Sequence, residues 1–203
     1  MRLLFAARAL ASFAAGVFLV FNQGHYVQYS LIALIIFALG TAVGQIAVAL
    51  FGPNTLSSIE SVPSSIISLT IGVLAVLAQF QGMRDAADPA VTIEVFRWMV
   101  TGWAITSGAF ELYLARRSGF KTPAGRDYLI LSMFGLALGL VYLVIHMDRT
   151  TTVGMFVAYL LFSAVHLGIA AASPKVEQGG KAGETPASMA PAKKPATKKP
   201  AAK

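Results

Sequence analysis

Long apolar stretches separated by short polar segments dominate the first 172 residues of the chain. An α-helix needs about 20 mostly apolar residues to cross the roughly 30 Å hydrocarbon core of a bilayer. Six stretches meet this requirement: Leu3–Phe21, Tyr29–Phe51, Val62–Phe80, Val91–Ala115, Tyr128–Met147 and Thr152–Ala172. The pattern predicts an all-α membrane bundle of six transmembrane helices over residues 1–172.

The segments between these stretches are short and rich in the Gly, Pro, Asn and Asp that end helices. They read NQGHYVQ, GPNTLSSIES, QGMRDAADPA, RRSGFKTPAGRD and DRTT. Because short connections join neighbouring helices, the six spans are predicted to form three antiparallel hairpins.

Composition excludes a water-soluble body, since 56% of the residues are hydrophobic, only 12% are charged and the mean hydropathy is +0.69. The chain has no Cys, which excludes disulfides, thiolate metal sites and Cys nucleophiles.

A second region begins at Ser173, where the sequence becomes rich in Lys, Pro and Ala and lacks aromatic residues. Such a segment buries too little apolar surface to fold, so residues 173–203 are predicted to be a disordered cytoplasmic tail. Its lysines are expected to be solvated or to contact anionic lipid headgroups. Nucleic-acid binding is not expected, because membrane topology already accounts for the positive charge.

Orientation follows from the distribution of Lys and Arg, which favour the cytoplasmic side of a membrane. Arg84, Arg97 and Arg149 lie on one predicted side, and Trp98 with the i, i+3 pair Glu94–Arg97 is expected at that interface. The opposite side carries thirteen basic residues: Arg2, Arg8, Arg116, Arg117, Lys121, Arg126 and the seven tail lysines. The chain is therefore predicted to cross its membrane with both termini in the cytoplasm.

The predicted odd-numbered spans share pairs of small residues four positions apart, and the even-numbered spans share small-residue-rich cytoplasmic ends. Small residues on one helix face let backbones approach closely in lipid. The pairs, which are predicted to mediate helix packing, are Ser12 with Gly16, Ser68 with Gly72, and Gly135 with Gly139. The pattern suggests three pseudo-symmetric hairpins and leaves a homo-oligomer open.

Four polar residues are predicted to lie at one depth in the cytoplasmic half: Arg8, Gln45, Glu111 and His166. Ionisable groups in hydrocarbon face the bundle interior and pair with one another, so Arg8 and Glu111 are expected to pair. Two interpretations stay open: a proton or ion relay through Glu111 and His166, or a polar cluster that fixes hairpin assembly or extends toward the headgroups.

A second polar set lies in the predicted outer loops and consists of His25, Asp85, Asp88, His146 and Asp148. These side chains are candidates for sensing external acid or binding a cation. Their spacing matches no metal motif, so ordinary solvated loop residues are the competing interpretation, and no metal site is predicted.

Four common catalytic and nucleotide-binding motifs are absent from the sequence: there is no phosphate-binding Gly-rich loop with Lys, no HExxH, no GxSxG and no dinucleotide fingerprint. No catalytic residue and no cofactor is therefore predicted. The remaining alternatives are a small proton-coupled transporter or channel, and a membrane-embedded enzyme acting on lipids.

The segment VTGWAITSGAFELYLARRSG, Val100–Gly119, resembles the repeat signature of the HdeD family, also called DUF308. The match rests on Trp103, Gly108, Glu111, Arg116 and Arg117, whereas the second and sixth spans have Ala42 and Ser163 where Gly108 stands. The resemblance covers residues 1–172 and implies a six-span protein of the bacterial cytoplasmic membrane. The family is linked in its enterobacterial members to acid resistance, is otherwise of unknown function and supplies no established catalytic residue. The expected function is non-enzymatic protection against acid or envelope stress.

Overall fold

A computed structural model describes residues 2–22, 26–51, 55–84 and 88–173, and these residues form six α-helices. The predicted tail, His25 and Asp85 lie outside the described residues. The helices are α1 (Arg2–Phe21), α2 (Tyr26–Phe51), α3 (Thr55–Arg84), α4 (Pro89–Ser118), α5 (Pro123–Val144) and α6 (Arg149–Ala172). The prediction of an all-helical bundle is confirmed for this part of the chain.

Five helices are long and apolar enough to cross a membrane, namely α1, α2, α3, α5 and α6. The exception is α4, the least hydrophobic of the six, which carries Glu94, Arg97, Glu111, Arg116 and Arg117. Length and composition therefore establish a multi-pass membrane protein, while the crossing by α4 stays a prediction.

Capping residues set the ends of several helices beyond the predicted apolar stretches. Asp88, Thr122 and Asp148 are the N-caps of α4, α5 and α6, and each accepts a hydrogen bond from a free backbone N–H of the first turn. Pro follows the cap in α4 and α5, where its missing N–H costs nothing. Gly119 ends α4 with φ +85°, a conformation that favours Gly.

The most extensive helix contacts are those of α4 with α5, α2 with α3, and α1 with α6, followed by α1 with α2. The pairs α3 with α4 and α5 with α6 touch less, although short segments join them in sequence. The predicted hairpin repeat stays a prediction. We call the end of the bundle where α1 begins and α6 ends the inner end, and the opposite end the outer end.

An aromatic cluster joins the even-numbered helices in the middle and outer half of the bundle. Its centre is Phe37 on α2, whose ring lies 4.8 Å from that of Trp103 on α4 and 6.0 Å from that of Phe156 on α6. The ring centre of Phe96 lies 5.4 Å from that of Phe156, and the ring centre of Tyr159 lies 5.5 Å from that of Trp103. We call these five residues the aromatic cluster.

A smaller apolar cluster lies toward the inner end and is built from α1, α4, α5 and α6. Its buried members are Phe5, Ala9, Leu114, Ala115, Tyr128, Leu131 and Leu167. The bundle is thus packed with apolar side chains at two levels, and Arg8 on α1 and Glu111 on α4 are buried within the same bundle.

Candidate functional site

Arg8 and Glu111 form an ion pair between α1 and α4 in the interior of the bundle. Their side chains are 7% and 3% exposed, so bulk solvent barely reaches either charge. Removing two charges from water costs free energy that close contact and further hydrogen bonds must offset. The predicted partners therefore do meet, although α1 and α4 are not neighbours in sequence.

Two tyrosines surround the guanidinium of Arg8. The hydroxyl of Tyr159 on α6 lies close to Arg8, and Tyr128 on α5 also interacts electrostatically with Arg8. Phenol oxygens can accept from a guanidinium, which has five donors and no acceptor. Four helices therefore supply polar side chains to one buried group, and we call Arg8, Glu111, Tyr128 and Tyr159 the buried polar centre.

Gln45 was predicted at the same depth, and the structure gives it partners on another helix. Its Nε2 donates to Ser64 Oγ at 3.0 Å, and Ser65 Oγ donates to its Oε1 at 3.2 Å. Ser65 Oγ also lies 2.7 Å from the carbonyl oxygen of Ser61. These bonds join α2 to α3, so Gln45 serves that helix contact.

His166 is placed beside an acidic residue that the sequence analysis assigned to a loop. Its Nε2 lies 3.8 Å from Asp127 Oδ1, which is too long for a hydrogen bond. The imidazole stacks on Phe162 with a centroid distance of 5.9 Å. Asp127 lies five residues into α5 and His166 seven residues from the end of α6. Equal depth in two antiparallel helices is therefore the signal that could have identified Asp127, which the sequence analysis missed.

The predicted outer pair is present near the start of α4. Arg97 Nε and Nη2 donate to Glu94 Oε2 at 3.2 and 2.7 Å, and the guanidinium carbon lies 5.3 Å from the centre of the Trp98 ring. Arg97 is itself buried, and its Nη1 lies 3.4 Å from the Tyr142 carbonyl oxygen. This arginine therefore also links α4 to α5.

The described members of the outer-loop set are Asp88, His146 and Asp148, and the two aspartates cap different helices. Asp88 Oδ1 accepts from Ala90 N at 2.8 Å, and Asp148 Oδ2 accepts from Thr150 N at 3.1 Å. The Thr151 hydroxyl and backbone N–H also donate to Asp148, and these hydrogen bonds hold the pKa of its carboxyl below the usual value. His146 is exposed in the α5–α6 connection. Both aspartates are thus occupied in capping helices.

Metal binding has no structural support in the part of the chain that is described, where no three His, Asp or Glu side chains are grouped to hold an ion. The predicted cation site, which includes His25 and Asp85 outside that part, stays a prediction.

The predicted small residues lie at close helix contacts. A methyl group on Gly16 would come within 2.9 Å of the Leu161 side chain, and one on Gly72 within 2.5 Å of Leu39. A methyl group on Gly135 would lie 3.6 Å from the Gly108 Cα, and one on Gly139 2.8 Å from the Ile105 side chain. Their partners Ser12 and Ser68 are buried.

Two apolar grooves flank α1 near the inner end. The groove between α1 and α6 has a volume of about 530 Å³, and the groove between α1 and α2 about 420 Å³. Both are lined by Ala, Gly, Leu, Val and Phe, and neither Glu111 nor His166 belongs to either lining. The ionisable residues therefore do not converge on these lipid-facing grooves.

Comparison of the chain with protein-family models, curated proteins and solved structures gave no match.

Proposed function

We propose that this chain is a six-span integral membrane protein of the HdeD type that protects a bacterial cell against acid or envelope stress without catalysing a reaction. The six spans form three repeated hairpins, and both termini lie in the cytoplasm. The sequence resemblance supplies the stress role. The structural support is the packing of the bundle, in which apolar side chains surround internal polar contacts.

The observation that carries this proposal is the aromatic cluster at the junction of α2, α4 and α6. Edge-to-face contacts between Phe37, Trp103 and Phe156 fill the space between these helices, and all three side chains are at most 1% exposed. A channel or transporter needs a polar path through both halves of the membrane. This packing separates the buried polar centre from the outer end and favours a closed bundle.

The lipid-acting enzyme is disfavoured by the position of the ionisable groups. Such an enzyme needs its acid–base residues at a lipid-accessible cleft, within hydrogen-bonding reach of the substrate. Glu111 is paired with Arg8 in the interior, and the grooves beside α1 offer no titratable side chain. The buried ion pair therefore has a structural role, which is to link α1 to α4 through the interior of the bundle.

Lipid partners follow from the same proposal. The apolar outer surface of α1–α6 contacts the bilayer, and the Lys-rich residues 175–203 bind anionic headgroups. A second copy of the chain is a further candidate partner, through the exposed apolar faces of the helices.

The stress role is tested by acid survival of a bacterial strain from which the corresponding gene has been removed. We expect the strain to survive a shift to acid less well, and the intact chain to restore survival. Glu111→Gln is expected to restore it poorly because the bundle is destabilised, whereas Arg126→Gln, which removes an exposed charge near the start of α5, is expected to restore it fully. Equal survival with and without the gene would refute the stress role.

A measurement of proton leak in lipid vesicles distinguishes this function from proton conduction. Purified protein in lipid vesicles that hold a pH-sensitive dye is expected to add no proton leak to that of empty vesicles, because the aromatic cluster closes the bundle. A leak that depends on Glu111 would favour the transporter or channel instead.

A further inference from the structure

The buried polar centre contains more hydrogen-bonding atoms than its own side chains satisfy. Within the described part of the chain, Glu111 Oε2, Ser12 Oγ and Ser132 Oγ are buried and have no hydrogen-bond partner. Burying such an atom without a partner costs free energy, and the cost is greater for a charged group. Three atoms that lack hydrogen-bond partners around one ion pair call for a ligand that can both donate and accept hydrogen bonds.

Helix register places these three atoms around the same centre. Ser12 follows Arg8 by one turn on α1, so both side chains share a helix face. On α4 and α5, which run antiparallel, Gly108 and Gly135 lie against each other. Glu111 is three residues beyond Gly108 and Ser132 three residues before Gly135, which puts the carboxylate and the hydroxyl at one level.

The chemistry of these atoms indicates the class of ligand. The carboxylate oxygen only accepts, each Ser hydroxyl donates and accepts, and the neighbouring guanidinium neutralises the carboxylate. A metal cation is disfavoured by Arg8, and an anion by Glu111. A small neutral molecule with two donors and two acceptors satisfies all of them, and water within a polar site makes two to four such bonds.

We propose that the buried polar centre is a binding site for internal water, held by Glu111 Oε2, Ser12 Oγ and Ser132 Oγ. This water is part of the packed bundle and lies on the inner side of the rings of Phe37, Trp103 and Phe156, which fill the space toward the outer end. The proposal is independent of the stress role. The bound water solvates the ion pair and does not open a polar path across the membrane.

Hydroxyl-radical footprinting by X-ray radiolysis tests this site, because radicals formed from bound water oxidise the aromatic side chains beside it. The experiment uses the full-length protein in detergent and compares three tyrosines that are at most 6% exposed, namely Tyr128, Tyr159 and Tyr142. Tyr142 is the internal control, since its hydroxyl donates to the Thr152 carbonyl oxygen away from the centre. We expect Tyr128 and Tyr159 to be hydroxylated several-fold faster than Tyr142.

Two variants extend the test. Ser132→Ala removes one hydroxyl ligand without adding bulk, and it is expected to slow the hydroxylation of Tyr128. Ser68→Ala removes a buried hydroxyl on α3 and should leave the rates of both tyrosines unchanged. Equal rates at Tyr128, Tyr159 and Tyr142 in the unmodified protein would overturn the proposal, whether all are slow because the centre is dry or all are fast because the whole bundle opens.

Discussion

Replacing Glu111 with Gln is expected to lower the free energy of unfolding in detergent by about 3 kcal/mol, because it leaves the buried guanidinium of Arg8 without a counter-charge. This is the low end of the range for breaking a buried pair, about 3–5 kcal/mol, since Tyr159 and the proposed water retain some hydrogen bonds. For a chain of this size the loss corresponds to a fall of roughly 6–12 °C in Tm. Thermal unfolding followed by circular dichroism measures it.

Arg8→Gln is expected to cost a similar amount, and the double variant should recover part of the combined loss because neither charge is then stranded. Arg126→Gln is the control, because Arg126 is an exposed charged residue on α5. Replacing an exposed surface residue changes the free energy of unfolding by only about 0.5 kcal/mol. Strictly additive losses from Arg8→Gln and Glu111→Gln would contradict the pairing of the two residues.

Replacing Gly44 with Ala is expected to cost about 1–3 kcal/mol, because the new methyl group would lie 2.7 Å from the Cβ of Ala7. Neither methyl group can rotate away, so α1 and α2 must separate. The gain in helix propensity from Gly to Ala, about 0.5–1 kcal/mol, offsets only part of this. Ala7 precedes Arg8, so the same displacement is expected to strain the ion pair. A fall in Tm in detergent would measure both effects together.

Gly168→Ala is the control for this substitution. Gly168 lies on α6 toward the same end of the bundle, and no atom lies within 4 Å of the position of the added methyl group. The gain in helix propensity then acts alone, so Tm should be unchanged or slightly raised. If Gly44→Ala were as stable as Gly168→Ala, the close approach of α1 and α2 would be wrong.

Depth along the predicted helices identified a partner only where two residues of opposite charge lay at the same level. Counting residues from the predicted helix ends placed Arg8 and Glu111 at similar depth, and charge complementarity then named each as the partner of the other. The same counting put Gln45 and His166 at that depth but gave no information about the side of the helix they face. In the structure Gln45 bonds to α3 and His166 faces Asp127.

The sequence could not name the helix neighbours either. Hydrophobic patterns mark which segments are helices, and short connections suggest that consecutive helices pack together. The extensive pairing of α1 with α6 depends instead on complementary surfaces, such as the Gly16 contact with Leu161. Small residues marked close approach correctly at Gly135 and Gly139, but the pattern did not say that α4 is what they approach.

Helix ends were underestimated for a physical reason. The hydrophobic criterion selects only the part of a helix that lies in hydrocarbon, whereas the helices continue through polar turns to their caps. Thus α3 begins at Thr55 rather than near Val62, and α5 begins at Pro123 after the Thr122 cap. Asp127 was counted as a loop residue for this reason.

The central claim is that α4 crosses the membrane, so that the Arg8–Glu111 pair lies inside the bilayer. Since the chain has no Cys, single Cys residues at Ala87, which precedes the Asp88 cap in the sequence, and at Ser118, the last residue of α4, test this crossing with a membrane-impermeant thiol reagent. In intact cells we expect Ala87→Cys to be labelled and Ser118→Cys, like Ser188→Cys in the tail, to be labelled only after permeabilisation. Labelling of Ala87→Cys and Ser118→Cys from the same side would contradict the account.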